Sequence, residues 1–172
     1  MNHNRLKNRL LAWLANRCAP LRRRFIAGYR PERYEGAIPW TPVAWPLAEC
    51  RVALVTTAGV HHPGQPPFDM HDPDGDPSYR VLDGATILGD YRITHDYYDH
   101  RDADRDLNVV FPLQRLRELV AEGIVGGLAR RHYSLMGHIV GRHLPTLLQE
   151  SAPQIARALC DQRVDIVLLT PG

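Results

Sequence analysis

The sequence predicts an α/β domain with a mainly parallel sheet flanked by helices, preceded by a basic helical arm. An unbroken apolar run within 51–57 is typical of a strand that is buried on both faces, and the apolar residues within 164–169 predict a final buried strand. Apolar residues recur at helical spacing over 112–122 and 145–159, which predicts two helices between these strands. Strands that alternate with helices along a chain generally pair in parallel.

The remaining elements follow from turn residues and from shorter apolar runs. Residues 58–88 are rich in proline and glycine and are predicted to form a long loop, and short strands are predicted over 91–94 and 131–136. Pro112 and Gly123 mark the start and the end of the first helix of the domain. The order strand, loop, strand, helix, strand, helix and strand indicates a Rossmann-like or flavodoxin-like sheet.

The N-terminal part of the chain is strongly basic. The first 33 residues carry nine basic side chains against one acidic side chain, whereas the rest carry 12 basic and 18 acidic ones. Apolar residues recur at helical spacing over 4–17, which predicts an amphipathic helix. The chain is therefore divided into a basic arm with a proline-rich leader over 1–50 and an α/β domain over 51–172.

Three roles are open for the basic arm. Packing against its own acidic domain or a partner subunit is the ordinary role of an amphipathic helix and is favoured. Contact with an anionic membrane surface comes second. Nucleic-acid binding is disfavoured because the basic residues are not interleaved with aromatic ones on a recognisable fold. Neither a membrane span nor a signal peptide is readable, so we expect a cytoplasmic protein.

Polar residues follow each predicted strand, at the edge where open α/β sheets bind their ligands. Histidine is prominent among them, and its side chain suits proton transfer near neutral pH. Six of the nine histidines are predicted at this rim, namely His61, His62, His95, His100, His138 and His143. Threonines and a glycine end the strands there, namely Thr56, Thr57, Gly59 and Thr170.

The segment 94–108 concentrates aspartate and histidine in the manner of a metal site. Such side chains suit a divalent ion, but no His-x-x-x-His pair supports one, and the aspartates also suit turn capping and pairing with nearby arginines. We predict no metal site. A small metal-dependent hydrolase that uses His95, Asp99 and His100 remains an alternative. Cys18, Cys50 and Cys160 are too few and too scattered for a disulfide framework or a zinc knuckle.

The predicted rim lacks a reactive nucleophile. No G-x-S-x-G motif is present, and no predicted strand ends at a cysteine. The apolar strand over 164–169 is followed by a Pro-Gly turn and by no crossover helix, which a parallel sheet requires. We therefore expect either that a partner covers this strand, as in a non-catalytic subunit of a complex, or that the reading frame is cut short.

Three stretches carry a family resemblance: ALVTTAGVHHPGQPPFDMHDPDGDPSYRVL, ITHDYYDHRDADRDLNVVFPLQRLRELVAEG and RHYSLMGHIVG. They are similar to the selenoprotein B family of glycine, sarcosine, betaine and D-proline reductases, from about Val52 onward. In that family a selenocysteine follows a strand like the one over 164–169. UGA normally reads as a stop codon, so the resemblance implies a nucleophile directly after Gly172 and an inactive 172-residue chain. No other cofactor is implied in the chain.

The resemblance also implies a reaction and a set of partners. The reaction is reductive cleavage of a C–N bond in a small amino-acid or betaine-like substrate, after which thiols of a thioredoxin-like partner resolve the selenoether. Other reductase subunits and an oligomer are expected. The implied catalytic residues are His95, His100 and His138, which would protonate the leaving amine or hold the selenolate, and Asp99, which would orient a histidine. The implied substrate-binding residues are Thr56, Thr57, Gly59 and Thr170.

Overall fold

A computed structural model describes residues 3–28, 36 and 41–172. The helices are α1 (His3–Arg17), α2 (Ala19–Gly28), α3 (Arg101–Arg105), α4 (Leu113–Ala121), α5 (Leu144–Thr146) and α6 (Ala152–Asp161), with a π-helical turn, Leu147–Ser151, between the last two. The strands are β1 (Arg51–Thr56), β2 (Val60–His61), β3 (Arg80–Asp83), β4 (Arg92–Ile93), β5 (Gly127–Leu128), β6 (Arg131–Ser134) and β7 (Ile166–Thr170).

β1 is the central strand of a mixed, mostly parallel sheet. β7 runs parallel to it on one side, from the pair Val52–Ile166 to the pair Thr56–Thr170. On the other side β1 pairs in parallel with β5 and then with β6, and β3 lies antiparallel to β6. The predicted α/β class with a mainly parallel sheet is confirmed. The narrower Rossmann-like or flavodoxin-like assignment stays a prediction.

Alternate side chains of β1 enter two different hydrophobic layers, because successive residues of a strand face opposite sides of the sheet. One layer joins Val52 and Leu54 to Phe111 and to α4 through Leu113 and Leu116. The other layer joins Ala53 and Val55 to Tyr133 and to α6 through Ile155 and Leu159. The sheet is thus covered by a helix on each face, as the apolar run in 51–57 predicts.

A histidine fills a gap in the pairing between β1 and its neighbours. Between the β5 and β6 contacts, the Leu54 N–H donates a hydrogen bond to His132 Nδ1 at 3.0 Å. His132 is completely buried, its ring meets the Phe111 ring edge to face, and its Nε2 has no hydrogen-bond partner in the described part of the chain. Burial lowers the pKa of His132 to about 4, so the ring is neutral at neutral pH.

The long loop predicted over 58–88 is wrong in part, because it contains β2 and β3. β2 has only two residues, and in the four-residue β3 only Leu82 is buried, so neither strand leaves a clear apolar pattern. The strand predicted over 91–94 exists as β4, but it pairs antiparallel with β2 in a separate two-stranded sheet. It is therefore not a member of the parallel sheet.

The helices predicted over 112–122 and 145–159 are confirmed. The second one includes the π-helical turn just before Pro153. Proline has no N–H to donate to the carbonyl four residues earlier. The helix therefore widens here to a π-helical turn, in which N–H groups donate to carbonyls five residues earlier.

The strand predicted over 164–169 is present as β7, but its predicted place as a buried strand at the centre of the sheet is wrong. In the described part of the chain β7 pairs with β1 alone and lies at the edge of the sheet. Leu169 is 71% exposed, and Val167 and Leu168 are also exposed.

A helix is present over the predicted span 4–17, as α1, whereas the role of this segment as a basic arm stays a prediction. A second helix, α2, follows it directly and was not predicted. None of the described helices is long and apolar enough to cross a membrane. Most of the proline-rich leader before residue 41 lies outside the described residues, and the domain boundary at residue 50 stays a prediction.

Candidate functional site

The predicted threonines lie at the carboxyl edge of the main sheet. Thr56 ends β1 and Thr170 ends β7, and their hydroxyls both donate to the Val110 carbonyl, at 2.9 Å and 2.7 Å. The Thr56 hydroxyl also accepts a hydrogen bond from the Ala58 N–H. Thr56 is completely buried, so its side chain shapes the backbone at the end of β1.

Gly59 joins this edge to the segment that carries His95. Its N–H donates to Leu135 O at 3.0 Å, and its carbonyl accepts from the Thr94 N–H at 2.9 Å. Gly59 has a φ of 71°, and a Cβ there would lie 2.4 Å from Thr94 O. Only glycine combines this left-handed backbone with so close an approach.

Thr57 lies between Gly172 and Gly137. The Gly172 N–H donates to Thr57 Oγ1 at 3.2 Å, and the Thr57 N–H donates to Thr170 O at 2.9 Å. On the other side a Cβ at Gly137 would lie 3.1 Å from Thr57 O, and the Gly137 N–H lies 3.2 Å from His95 Nε2. Gly172, Thr57, Gly137 and His95 therefore form one contiguous row.

His95 is buried and neutral at neutral pH. Its Nδ1 faces the Tyr97 N–H and its Nε2 faces the Gly137 N–H, each at 3.2 Å, so a protonated ring would oppose N–H to N–H twice. The rings of Tyr97 and Tyr98 meet it edge to face. Burial lowers the pKa of His95 to about 4, and the nearby His100 and His138 lower it too.

His138 and His100 are linked to His95 through the two tyrosines. The His138 ring stacks on the Tyr97 ring, with 4.0 Å between centroids, and its Nε2 donates to Pro73 O at 2.9 Å. The His100 ring meets the Tyr98 ring, and its Nδ1 donates to Asp104 Oδ2 at 2.8 Å. We call His95, His100, His138, Tyr97 and Tyr98 the histidine rim.

Asp99 lies in the same segment and pairs with Arg101. The Arg101 guanidinium donates to both of its carboxylate oxygens, from Nε at 2.8 Å and from Nη2 at 2.5 Å. The carboxylate that is hydrogen-bonded to His100 belongs to Asp104. Asp104 is therefore the carboxylate that is placed to orient His100, which is the role predicted for Asp99.

Sequence reasoning missed the part that Asp96 plays. This carboxylate is only 3% exposed and pairs with Arg5 of α1, from Nε at 2.5 Å and from Nη2 at 3.3 Å. Tyr98 was also missed, and its hydroxyl donates to Ala58 O at 3.2 Å. The adjacent Tyr97 and Tyr98, which lie between His95 and His100 in the sequence, are the pattern from which this part of the rim could have been predicted. No local pattern indicates a contact between residues 91 positions apart.

The six predicted rim histidines do not form a single cluster. His95, His100 and His138 share the two tyrosines. His61 is hydrogen-bonded through Nε2 to the Thr94 hydroxyl at 2.9 Å, and its pKa is lowered by burial. His62 contacts Tyr91 instead, and His143 contacts Asp72.

Asp72 links the loop that contains Pro73 to the segment that follows His138 through hydrogen bonds. Its carboxylate accepts hydrogen bonds from Arg142, from His143 Nε2 at 2.9 Å and from the Asp74 N–H at 3.0 Å. These contacts, led by the one from His143, hold the pKa of Asp72 at about 2.

We expect Asp72→Asn to loosen the segment around His138, because the charged acceptor shared by Arg142 and His143 is lost. Hydrogen exchange of the amides over 140–143 should become faster at neutral pH. Asp102→Asn is the matched control, since that carboxylate is 83% exposed and pairs only at the surface with Arg105. The contribution of Asp72 is present above about pH 3.8 and is lost as the pH falls towards about 2. Equal exchange in the two variants at pH 7 would contradict this role.

Within the described residues, no three side chains of His, Cys, Asp or Glu converge in a way that would hold a metal ion. The residues of the hydrolase alternative, His95, Asp99 and His100, do not converge on one point either. His95 faces two backbone amides, and Asp99 is paired with Arg101.

The fold and the rim together define an α/β protein with its candidate site beyond the carboxyl ends of parallel strands. The model of the family described as glycine/sarcosine/betaine reductase selenoprotein B matches residues 23–172. The chain belongs to this family.

Three curated relatives illustrate the similarity. The D-proline reductase subunit gamma of Acetoanaerobium sticklandii is 37% identical over 150 residues, which are 86% of this chain and 60% of that protein. The glycine reductase complex component B subunit gamma of Symbiobacterium thermophilum is 30% identical over 77% of this chain and 31% of that protein. The sarcosine reductase complex component B subunit beta of Peptoclostridium acidaminophilum is 28% identical over 58% of this chain and 23% of that protein.

The chain spans 60% or less of the length of each of these relatives. The relatives are named as subunits or components of reductases for D-proline, glycine and sarcosine. No solved structure matches the chain.

Proposed function

We propose that the chain is the substrate-binding selenoprotein B component of a glycine, betaine, sarcosine or D-proline reductase. In this proposal it cleaves a C–N bond reductively, with a selenol or thiol nucleophile that directly follows Gly172. Family membership supports the reaction class, and the relatives support a place among other reductase subunits.

The position of Gly172 carries the proposal. Gly172 packs against Ala58, where a Cβ would lie 2.4 Å from Ala58 Cα, and it is hydrogen-bonded to Thr57. Thr57 in turn lies beside Gly137, whose amide faces His95. A residue that follows Gly172 would start next to the histidine rim, at the edge where α/β sheets place their chemistry.

The proposed reaction balances with a dithiol as reductant. The selenolate or thiolate attacks the α-carbon, and the amine leaves with the C–N electron pair and takes up a proton. A thiolate of a thioredoxin-like partner then attacks the selenium or sulfur, and the carbon leaves with its electron pair and is protonated. The second thiol of the partner frees the nucleophile as a disulfide forms.

The rim divides the proposed roles among the histidines. His95 faces two backbone N–H groups and is neutral at neutral pH, so His138 or His100 is better placed to serve the leaving amine or the selenolate. Asp104 is hydrogen-bonded to His100 and orients it, while Asp99 is paired with Arg101. The Thr57 hydroxyl can donate to the substrate carboxylate, whereas the N–H groups of Thr57, Ala58 and Gly59 are already hydrogen-bonded within the protein. Thr56 and Thr170 fix the strand ends.

Extension of the chain tests the proposal. We expect the codon after position 172 to be UGA, and a protein extended through the next helix with cysteine in place of the selenocysteine to be active. With dithiothreitol, it should reduce at least one of glycine, sarcosine, betaine and D-proline. Alanine at the same position should abolish turnover, whereas Cys160→Ala, on exposed α6 surface, should not. A UAA or UAG codon would refute the position of the nucleophile.

The exposed strand β7 favours a second candidate function, that of a non-catalytic subunit. Its apolar residues Val167, Leu168 and Leu169 would be covered by another subunit of a complex. In that case the extended protein would show no thiol-dependent turnover with any of the four substrates.

A further inference from the structure

Helix α1 contacts the histidine rim through polar side chains. Arg5 forms two hydrogen bonds to the buried carboxylate of Asp96, and the Asn8 side chain lies close to the Tyr97 hydroxyl. Arg5 and Asn8 are three positions apart, so they lie on one face of the helix. α1 precedes residue 23, where the family match begins, and its role must be argued from this chain's own contacts.

The apolar side of α1 packs loosely. Leu6 and Leu10 are both more than half exposed, and a groove of about 530 Å³ separates them and Trp13 from Tyr98 and the residues around His100. The apolar side of α1 is therefore only partly buried, with Leu11 and Leu14 at intermediate exposure. In the Arg5–Asp96 pair the carboxylate is removed from water, with the Asp96 side chain 5% and the Arg5 side chain 37% exposed, and a buried carboxylate requires such a partner.

We propose that Arg5 and Asn8 are positioning residues of the histidine rim, through which α1 forms one wall of the candidate site. Arg5 holds Asp96, which is adjacent in sequence to His95. Asn8 lies next to Tyr97, whose ring stacks on His138 and meets His95 edge to face. The catalytic part of this inference rests on the proposed function, whereas the structural part does not.

The chain of contacts has a direct geometric consequence. The Tyr97 ring stacks on His138, its hydroxyl lies close to Asn8, and its backbone N–H faces His95 Nδ1. If α1 moves away, Tyr97 loses one of its two side-chain supports, and both imidazoles lose a fixed neighbour. Displacements of about 1 Å at a reacting centre can cost roughly 100-fold in rate.

Nuclear magnetic resonance of the full 172-residue chain tests the structural part without any activity. In the wild type, the ring protons of His138 should be shifted upfield by the stacked Tyr97 ring. Asn8→Ala and Arg5→Gln should both move these signals towards unstacked values. Arg5→Gln should also raise the exchange rate of α1 amides at least tenfold. Arg5→Lys keeps the charge but not the paired hydrogen bonds of the guanidinium, so its His138 signals and α1 exchange rates should lie between those of the wild type and of Arg5→Gln.

Lys7→Gln is the matched control, because it makes the same charge change on the same helix at an exposed position. It should alter neither the His138 signals nor the exchange of α1. Unchanged His138 signals in both Arg5→Gln and Asn8→Ala would overturn the inference.

Turnover of the cysteine-extended protein tests the catalytic part. Arg5→Gln should lower kcat by roughly 10- to 100-fold and change KM much less. If the NMR signals move as expected but the parent protein is inactive, the proposed function fails and the positioning of the rim by α1 stands. If the parent is active and kcat is unaffected in Arg5→Gln, the catalytic part of the inference fails.

Discussion

At pH 4 most of the conformational stability of the protein should be gone, although the chain is stable at neutral pH. The cause is the pair of buried histidines His95 and His132, whose pKa values are both lowered to about 4. An exposed histidine in the unfolded chain has a pKa of about 6.5. The unfolded state therefore takes up two protons that the folded state does not accept until about pH 4.

The sign and the size of the effect follow from this difference. A histidine with a depressed folded pKa contributes its full stability above about pH 6.5, and this is lost as the pH falls towards about 4. One pKa unit corresponds to about 1.4 kcal/mol, so each ring lowers the free energy of unfolding by about 3 kcal/mol between neutral pH and about pH 4. The two together are comparable with the 5–15 kcal/mol by which domains are ordinarily stable.

Urea unfolding at a series of pH values between 7.5 and 4.5 measures this loss. His132→Asn keeps an acceptor for the Leu54 N–H and removes one of the two titrations, so the free energy of unfolding should fall about half as much over this range. The variant will be less stable at pH 7.5, since a smaller side chain leaves a cavity. His71→Asn, an exposed position, should retain the full pH dependence. Equal wild-type stability at pH 4.5 and pH 7.5 would show that the rings are not buried as described.

Gly59→Ala should destabilise the protein by about 2–4 kcal/mol and disturb the histidine rim. An alanine at a φ of 71° is strained, and its Cβ would lie 2.4 Å from Thr94 O and 3.1 Å from His95 Cβ. The backbone at Thr94 must therefore move, which breaks its hydrogen bond to Gly59 and carries His95 along. Turnover of an active extended form should fall with stability.

Gly89→Ala is the matched control for this substitution. A Cβ at Gly89 would meet nothing within 4 Å, and its φ is not positive. Urea unfolding should place this variant within about 0.5 kcal/mol of the wild type. If the two alanine variants prove equally stable, the close approach of Gly59 to Thr94 is not maintained in solution.

The sequence predicts those parts of the fold that leave a local pattern. β1 is visible because four consecutive apolar residues serve two hydrophobic layers, and α4 is visible because its leucines face a single layer. β3 is not visible, since Leu82 is its only buried residue. β7 has the apolar pattern of a buried strand and is nevertheless exposed, because burial depends on what lies beside a strand and not on its composition.

The candidate site is predicted in its residue types but not in its contacts. The histidines and threonines at strand ends follow from the geometry of parallel sheets, which places those ends together. The pairing of Arg5 with Asp96 and that of Leu54 with His132 are long-range, and each depends on the completed fold. The same holds for Asp104, which lies one helical turn after His100 but is one of several aspartates that the sequence cannot rank.

Warming should drive the protein towards self-association through β7 before it unfolds. β7 contains no charged residue, no described strand covers its outer edge, and Leu169 extends into water. Burial of apolar surface is driven by entropy near room temperature, so this attraction strengthens with heat, and sulfate strengthens it further. Turbidity on heating should therefore begin at a lower temperature in concentrated samples, and cold, dilute, sulfate-free buffers should keep the chain dispersed.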